Sequence, residues 1–269
     1  MGVRINTNIE ALDAQRNLFL NSVSFSKSVE KLSSGLRINR AADDAAGLSI
    51  SQKLQAQSKG LNQASRNAQD GISLVQTAEG AMNEIHTMLQ RMRELVVQAQ
   101  NGTLATEDIS AIQSEVDALS SEIDRIATTT EFNTTAILDG TTTTVTLQVG
   151  ANSSQTMAMT MQDVTASTLG VSTVTVNGTS ALTDIDTAID TVSSARSDLG
   201  AYQNRLEHTI ANLAVSAENL QASESRIRDL DVAAEMVNLT RAQILNQAGT
   251  AVLAQANSAP QSVLSLLRG

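Results

Sequence analysis

Cysteine is absent from the 269 residues, so neither a disulfide nor thiolate chemistry is available. That absence suits the cytosol, and equally an exported protein that folds without oxidation. Tryptophan is missing as well, and the only rings belong to Phe19, Phe25, Phe132 and Tyr202. A globular core of this size is normally richer in aromatics. The apolar inventory is instead Ala, Leu, Ile, Val and Met, which suits thin seams between closely approaching helices. The single proline, Pro260, lies near the C-terminus and interrupts no helix upstream of it. No run approaches the ~18 apolar residues of a membrane span, and MGVRINTNIEALDAQRNLFL lacks the apolar centre of a signal peptide. The expectation is no membrane insertion and, if the chain leaves the cell, a route that reads no cleavable signal. Basic charge is scarce too. A formal net charge of −10 disfavours nucleic acid and anionic membrane surfaces as partners.

Catalytic motifs are also missing. His86 and His208 are the only histidines, about 120 residues apart and without carboxylates at ligand spacing. No nucleophile elbow, Walker loop, HExxH or dinucleotide fingerprint is present. Asp43 and Asp44 are adjacent, so on a helix they point in different directions and make a poor bidentate metal site. We expect neither an enzyme nor a bound cofactor or metal.

What the sequence does contain is periodicity. Leu54, Leu61, Ala68, Val75, Met82, Leu89 and Val96 recur every seventh residue, with Gln57, Ala64, Gly71, Ala78, Ile85, Met92 and Ala99 three positions later. This stripe predicts a helix from about residue 44 to 99, about 80 Å long at 1.5 Å per residue. Asn101 and Gly102 stop it, and Thr106 is placed to cap a second helix whose first turn carries Glu107 and Asp108. There Ile109, Ile112, Val116, Leu119, Ile123 and Ile126 continue the coiled-coil spacing. In the C-terminal half Ile185, Val192, Leu199, Leu206, Leu213, Leu220, Ile227 and Ala234 give eight hits at a period of seven.

The middle, residues 139–180, is rich in Thr, Ser, Gly and Val. Val145, Leu147 and Val149, then Met157, Met159 and Met161, alternate with polar residues on either side of GANSSQ, which predicts a β-hairpin capping one end of the bundle. A disordered polar linker is the alternative. The two ends each present an apolar helical face, Ile5, Ile9, Leu12, Phe19 and Val23 against Ile227, Leu230, Val237, Ile244 and Ala251. Two such helices bury little between them, so they call for a partner, most simply another copy. The fold class is therefore mainly α: an elongated antiparallel helical bundle or coiled coil with a small β-hairpin region, plus a two-helix terminal coiled coil.

Three stretches carry a family likeness: LSSGLRINRAADDAAGLSIS, GLNQASRNAQDGISLVQTAEGAMNEI and LQRMRELVVQAQNGT. The C-terminal side adds LGAYQNRLEHTIANL, SAENLQASESRIRDLDVAAEM and AQANSAPQSVLSLL. Together they resemble bacterial flagellin over about 200 residues, in a short form without the large outer domains. The resemblance implies a structural subunit that polymerises with itself into the filament for swimming, outside the cell, after type III export. It implies an inner layer from residues 1–43 (with a connector) and 226–269, and an outer bundle from 44–138 and 181–225, with 139–180 as the hairpin region. Terminal-helix assembly would fall to Ile5, Ile9, Leu12, Phe19, Val23, Leu230, Val237 and Ile244. Arg37, Arg40, Asp43 and Asp44 become connector residues able to form ion pairs between subunits or within one. Further partners implied are an export chaperone contacting Ile244, Leu245 and Leu253, a filament cap, and host Toll-like receptor 5 contacting Gln90, Arg91, Leu95 and Glu115. A hook–filament junction protein, or a cytosolic coiled-coil adaptor, is the competing reading.

Overall fold

The structure, a computed structural model, describes residues 7–268, with side chains described as far as residue 259. It is mostly helical, with five helices and two small antiparallel sheets of two strands each. The helices are α1 (Ile9–Ser34), α2 (Ala45–Ala99), α3 (Thr106–Thr129), α4 (Ala181–Arg228) and α5 (Val232–Arg268). The strands are β1 (Glu131–Phe132), β2 (Thr135–Ala136), β3 (Thr144–Gln148) and β4 (Thr156–Thr160). Two compact units are present, one made of residues 1–55 with 220–269, the other of residues 56–219.

The second unit holds the core. From Leu61 onward the seven-residue stripe of α2 is sealed, with Ala68, Val75, Leu89 and Val96 at 0% exposure. Ile112, Val116 and Ile123 of α3 and Ile185, Val192, Leu199 and Leu206 of α4 join the same cluster. The α4 series does not continue to its eighth position. Helix α4 ends at Arg228, and Ala234 lies exposed in α5. The break has a local cause. Asp231 accepts hydrogen bonds from Ala234 N (3.1 Å) through its carboxylate and from Glu235 N (3.0 Å) through its carbonyl, capping a new helix. The expected Thr106 cap is likewise displaced by one residue. Ala105 stands at the N-cap and offers no side-chain acceptor, while the Asp108 carboxylate accepts from the Ala105 N–H at 3.2 Å.

In the middle segment β3 and β4 pair antiparallel, Val145 opposite Met159 and Leu147 opposite Met157. Rather than capping an end, the hairpin lies along α2 beyond the point where α3 stops. Asn67 Nδ2 donates to the Gln148 carbonyl at 3.0 Å, and a Cβ on Gly71 would overlap Leu147. The chain then returns along α3, burying Val164, Ala166, Leu169, Val171, Val174 and Val176. Two α3 side chains hold this irregular strip. Asp124 accepts from Ala166 N at 2.7 Å. Gln113 donates Nε2 to the Val174 carbonyl and accepts from Val176 N, both at 2.9 Å, as a neighbouring strand would. Gln113→Ala leaves both backbone groups unpaired beside buried valines, so thermal unfolding should show a loss of about 1–3 kcal/mol.

The small β1–β2 hairpin went unforeseen, since its turn is Asn133-Thr134 rather than Asn-Gly. Both residues have positive φ, 49° and 62°. A β-branched residue is strained there, so Thr134→Gly should stabilise by about 1 kcal/mol, read as a rise in Tm of roughly 2–4 °C.

Candidate functional site

Helices α1 and α5 pack antiparallel, tied near both ends: Asn8 Nδ2 donates to the Ala256 carbonyl at 2.7 Å, and Ser28 Oγ to Glu235 Oε1 at 2.5 Å. Asn8 also caps α1, accepting from Ala11 N at 3.1 Å. The contact faces mix small and polar residues with a few large apolar ones. Ala11, Ala14, Leu18, Asn21, Phe25 and Ser28 of α1 are half-buried or buried, as are Leu239, Ala242, Asn246, Gly249, Leu253 and Ala256 of α5. A Cβ on Gly249 would stand 3.0 Å from Leu18 Cδ1, so the glycine allows the helices to come close.

Many large apolar residues are left outside this seam. On α1 Ile9, Leu12, Phe19 and Val23 are exposed, Phe19 by 68%; on α5 Val237 and Ile244 are each 59% exposed. These are the terminal residues that the sequence singled out, with two exceptions. Ile5 lies outside the described residues. Leu230 is not on a terminal helix at all: it sits half-buried in the α4–α5 break and donates its N–H to the Gly35 carbonyl at 3.1 Å. Of the residues expected to meet a chaperone, Ile244 and Leu245 are exposed, whereas Leu253 is half-buried on the side facing α1, beside Asn8 and Ala11.

The connector joins two chain breaks. Gly35, at φ 70°, ends α1 in the left-handed conformation, its N–H donating to the Lys31 carbonyl. Residues 35–37 then run antiparallel to 228–230, with Leu36 bridging Asp229 and Arg37 N donating to the Arg228 carbonyl at 2.7 Å. The Arg37 guanidinium donates to the Ile227 carbonyl. Arg40 pairs with Glu30 at 2.8 Å. The Asp43 carboxylate accepts from Arg40 N and Asn39 N at 3.0 and 3.2 Å, and these two bonds hold its pKa below the usual carboxylate value. Asp44 accepts from Gly47 N at 2.8 Å and caps α2. Gly47 is buried, and a Cβ there would come within 2.8 Å of Ile38 Cδ1, itself 1% exposed. All four charged residues of the connector therefore have partners inside the chain.

In the second unit Arg91 bridges α2 to α3. Its Nε and Nη2 donate to Glu115 Oε1 at 3.0 and 2.9 Å, and Nη1 to Glu94 at 3.2 Å. The Glu115 bond, first, raises the Arg91 pKa. Gln90 is exposed beside it, its amide 3.0 Å from His86 Nε2. Leu95 corrects the expectation of an apolar surface neighbour: at 1% exposure it is core. The physical reason is that α2 packs against two helices, so its buried face is broader than two stripes. Leu74, Ala81, Met88 and Leu95 form a third series at the same period, buried or half-buried throughout.

No described cluster of three or more His, Asp or Glu side chains could hold a metal ion, and no described helix is long and apolar enough to cross a membrane. The comparisons with known proteins agree with a helical structural subunit. Residues 5–143 match the family model of the bacterial flagellin N-terminal helical region, and residues 182–267 that of its C-terminal helical region. The chain belongs to the bacterial flagellin family. A flagellin of Halalkalibacterium halodurans is 55% identical over 270 residues, covering 98% of this chain and 99% of the relative. One of Bacillus subtilis is 49% identical over 304 residues, covering 99% and 100%. The crystal structure of Bacillus cereus flagellin, 34% identical, aligns with a TM-score of 0.50 over 59% of this chain and 94% of that one. Flagellins are structural subunits of the flagellar filament, which lies outside the cell, and not enzymes. In this flagellin the features missed from sequence were the Gln113 clamp and the composition of the α1–α5 seam. Small and polar residues interleaved with Leu18, Phe25, Leu239 and Leu253 at spacings of three and four were the available signal for the seam.

Proposed function

We propose that this flagellin polymerises by burying the outward stripes of α1 and α5 against neighbouring copies. Residues 1–43 and 226–269 then form the inner layer, and 44–138 with 181–225 the surrounding bundle. The observation that carries the reading is the exposure of Ile9, Leu12, Phe19, Val237 and Ile244 on helices that already have one another as partners. Monomeric proteins rarely expose contiguous apolar stripes of this kind. Each such side chain gains about 1.5–3 kcal/mol on full burial, and mass action supplies the partners. The connector would transmit the geometry between layers, held by its internal bonds, with Arg40 available at the surface for a neighbour. Seeded polymerisation followed by electron microscopy tests the reading. Filaments of uniform width should form, and deletion of residues 1–34 should abolish them while the second unit stays folded; filaments from the truncated chain would overturn it.

Before assembly the same α5 stripe, Ile244 and Leu245 above all, suits an export chaperone, and a filament cap would receive the arriving subunit. Leu253 enters the chaperone contact only where α1 has moved aside. Toll-like receptor 5 would read Gln90, Arg91 and Glu115 on the free subunit, without Leu95. Arg91→Ala should weaken receptor activation, and undiminished activation would remove this contact.

A further inference from the structure

We propose that Met236 is an oxidation site at which peroxide-class oxidants block assembly of the free subunit. The inference rests on the assembly reading above and adds a chemical control to it. Met236 stands apart from the other described methionines. Met82, Met92, Met157, Met159 and Met161 are between 0% and 8% exposed, and Met88 is half-buried, whereas Met236 is 47% exposed. It opens the outward stripe of α5, in a groove of about 510 Å³ formed with Val237, Thr240, Arg241, Ile244 and Leu245.

The chemistry needs only the thioether and the oxidant. A sulfur lone pair attacks one peroxide oxygen, the O–O bond breaks, an S–O bond forms, and after proton transfer water leaves. Sulfur loses two electrons and the peroxide gains them. The sulfoxide is polar and a strong acceptor. The Thr240 hydroxyl already donates to the Met236 carbonyl at 2.8 Å, so within the groove only the Arg241 guanidinium is left to satisfy the sulfoxide, and burying the two polar groups together against a neighbouring apolar stripe costs their desolvation. In a helical polymer the penalty recurs at every subunit. Assembled subunits are shielded by the same burial that the sulfoxide prevents.

The test treats the full-length monomer and preformed filaments with graded hydrogen peroxide, maps oxidised peptides by mass spectrometry, and measures the critical concentration for seeded growth. Met236 should oxidise before the buried methionines, faster in monomer than in filament, with the critical concentration rising at least tenfold. The critical concentration of Met236→Leu, whatever its untreated value, should not move on peroxide treatment, and methionine sulfoxide reductases should restore the oxidised native chain. Unchanged growth of the oxidised protein, equal reactivity in monomer and filament, or peroxide sensitivity persisting in Met236→Leu would each overturn the proposal. If untreated protein does not polymerise under seeding, the assembly reading itself falls, and this inference with it.

Discussion

Val237→Asp combined with Ile244→Asp should give a folded monomer that no longer polymerises at any practical concentration. Both positions are 59% exposed and lie seven residues apart on α5, outside the seam with α1. Aspartate there costs the isolated chain only helix propensity, below ~1 kcal/mol for each site. In the filament the same change removes about 2–4 kcal/mol of burial, since each side chain is already partly covered in the monomer, and adds two charges to be desolvated. The lost burial alone raises the critical concentration by about thirtyfold or more, and the two charges add to it. Circular dichroism of the monomer beside sedimentation of seeded mixtures checks both halves. Normal assembly of the double variant would take the outward face of α5 out of the subunit interface.

Leu89→Ala should have the opposite signature, with the assembly surface intact and the second unit weakened. Leu89 is fully buried on the main stripe of α2, beside Ile85 and Met92, which are equally inaccessible. Removing three carbons from a site sealed by packed helices costs about 2–5 kcal/mol, because the walls relax only in part. For a unit of residues 56–219 this lowers Tm by about 5–15 °C. A change below a few degrees would mean that the helices close over the gap, and that the seam is looser than its burial implies.

Comparing these two sites shows what the sequence could reveal. Leu89 was legible because seven-residue spacing reports one packed face directly, and the helices of the second unit follow from it. Val237 and Ile244 were legible as apolar residues on a helix, and their exposure follows from α5 turning a different face, Leu239, Ala242, Asn246, Gly249, Leu253 and Ala256, toward α1. The burial of Leu95, which the resemblance made a receptor contact, was hidden because two stripes at seven-residue spacing do not reveal the third stripe of a helix flanked on both sides. The strip from Met161 to Val176 was invisible to periodicity: it is buried without regular structure, and its backbone is satisfied by Gln113 and Asp124. The connector was recognisable by its glycines and charges. Its pairing with residues 228–230 was not, because long-range backbone bonds leave no local pattern.

The bond from Asn8 to Ala256 joins residues 248 apart in the chain. A ribosome adds about 5–20 residues per second, so the partner of α1 arrives on the order of 10–50 seconds after α1 itself is made. Closing a loop of that length in an unfolded chain costs about 5 kcal/mol of entropy. The second unit closes shorter loops, such as that from Arg93 to Asp186, 93 residues apart, and its last residue is 219. In every nascent chain, then, α1 waits unpaired until α5 is made, by which point the second unit is already complete in the chain. The timing of manufacture, as much as the strength of the seam, keeps the sticky ends apart until late.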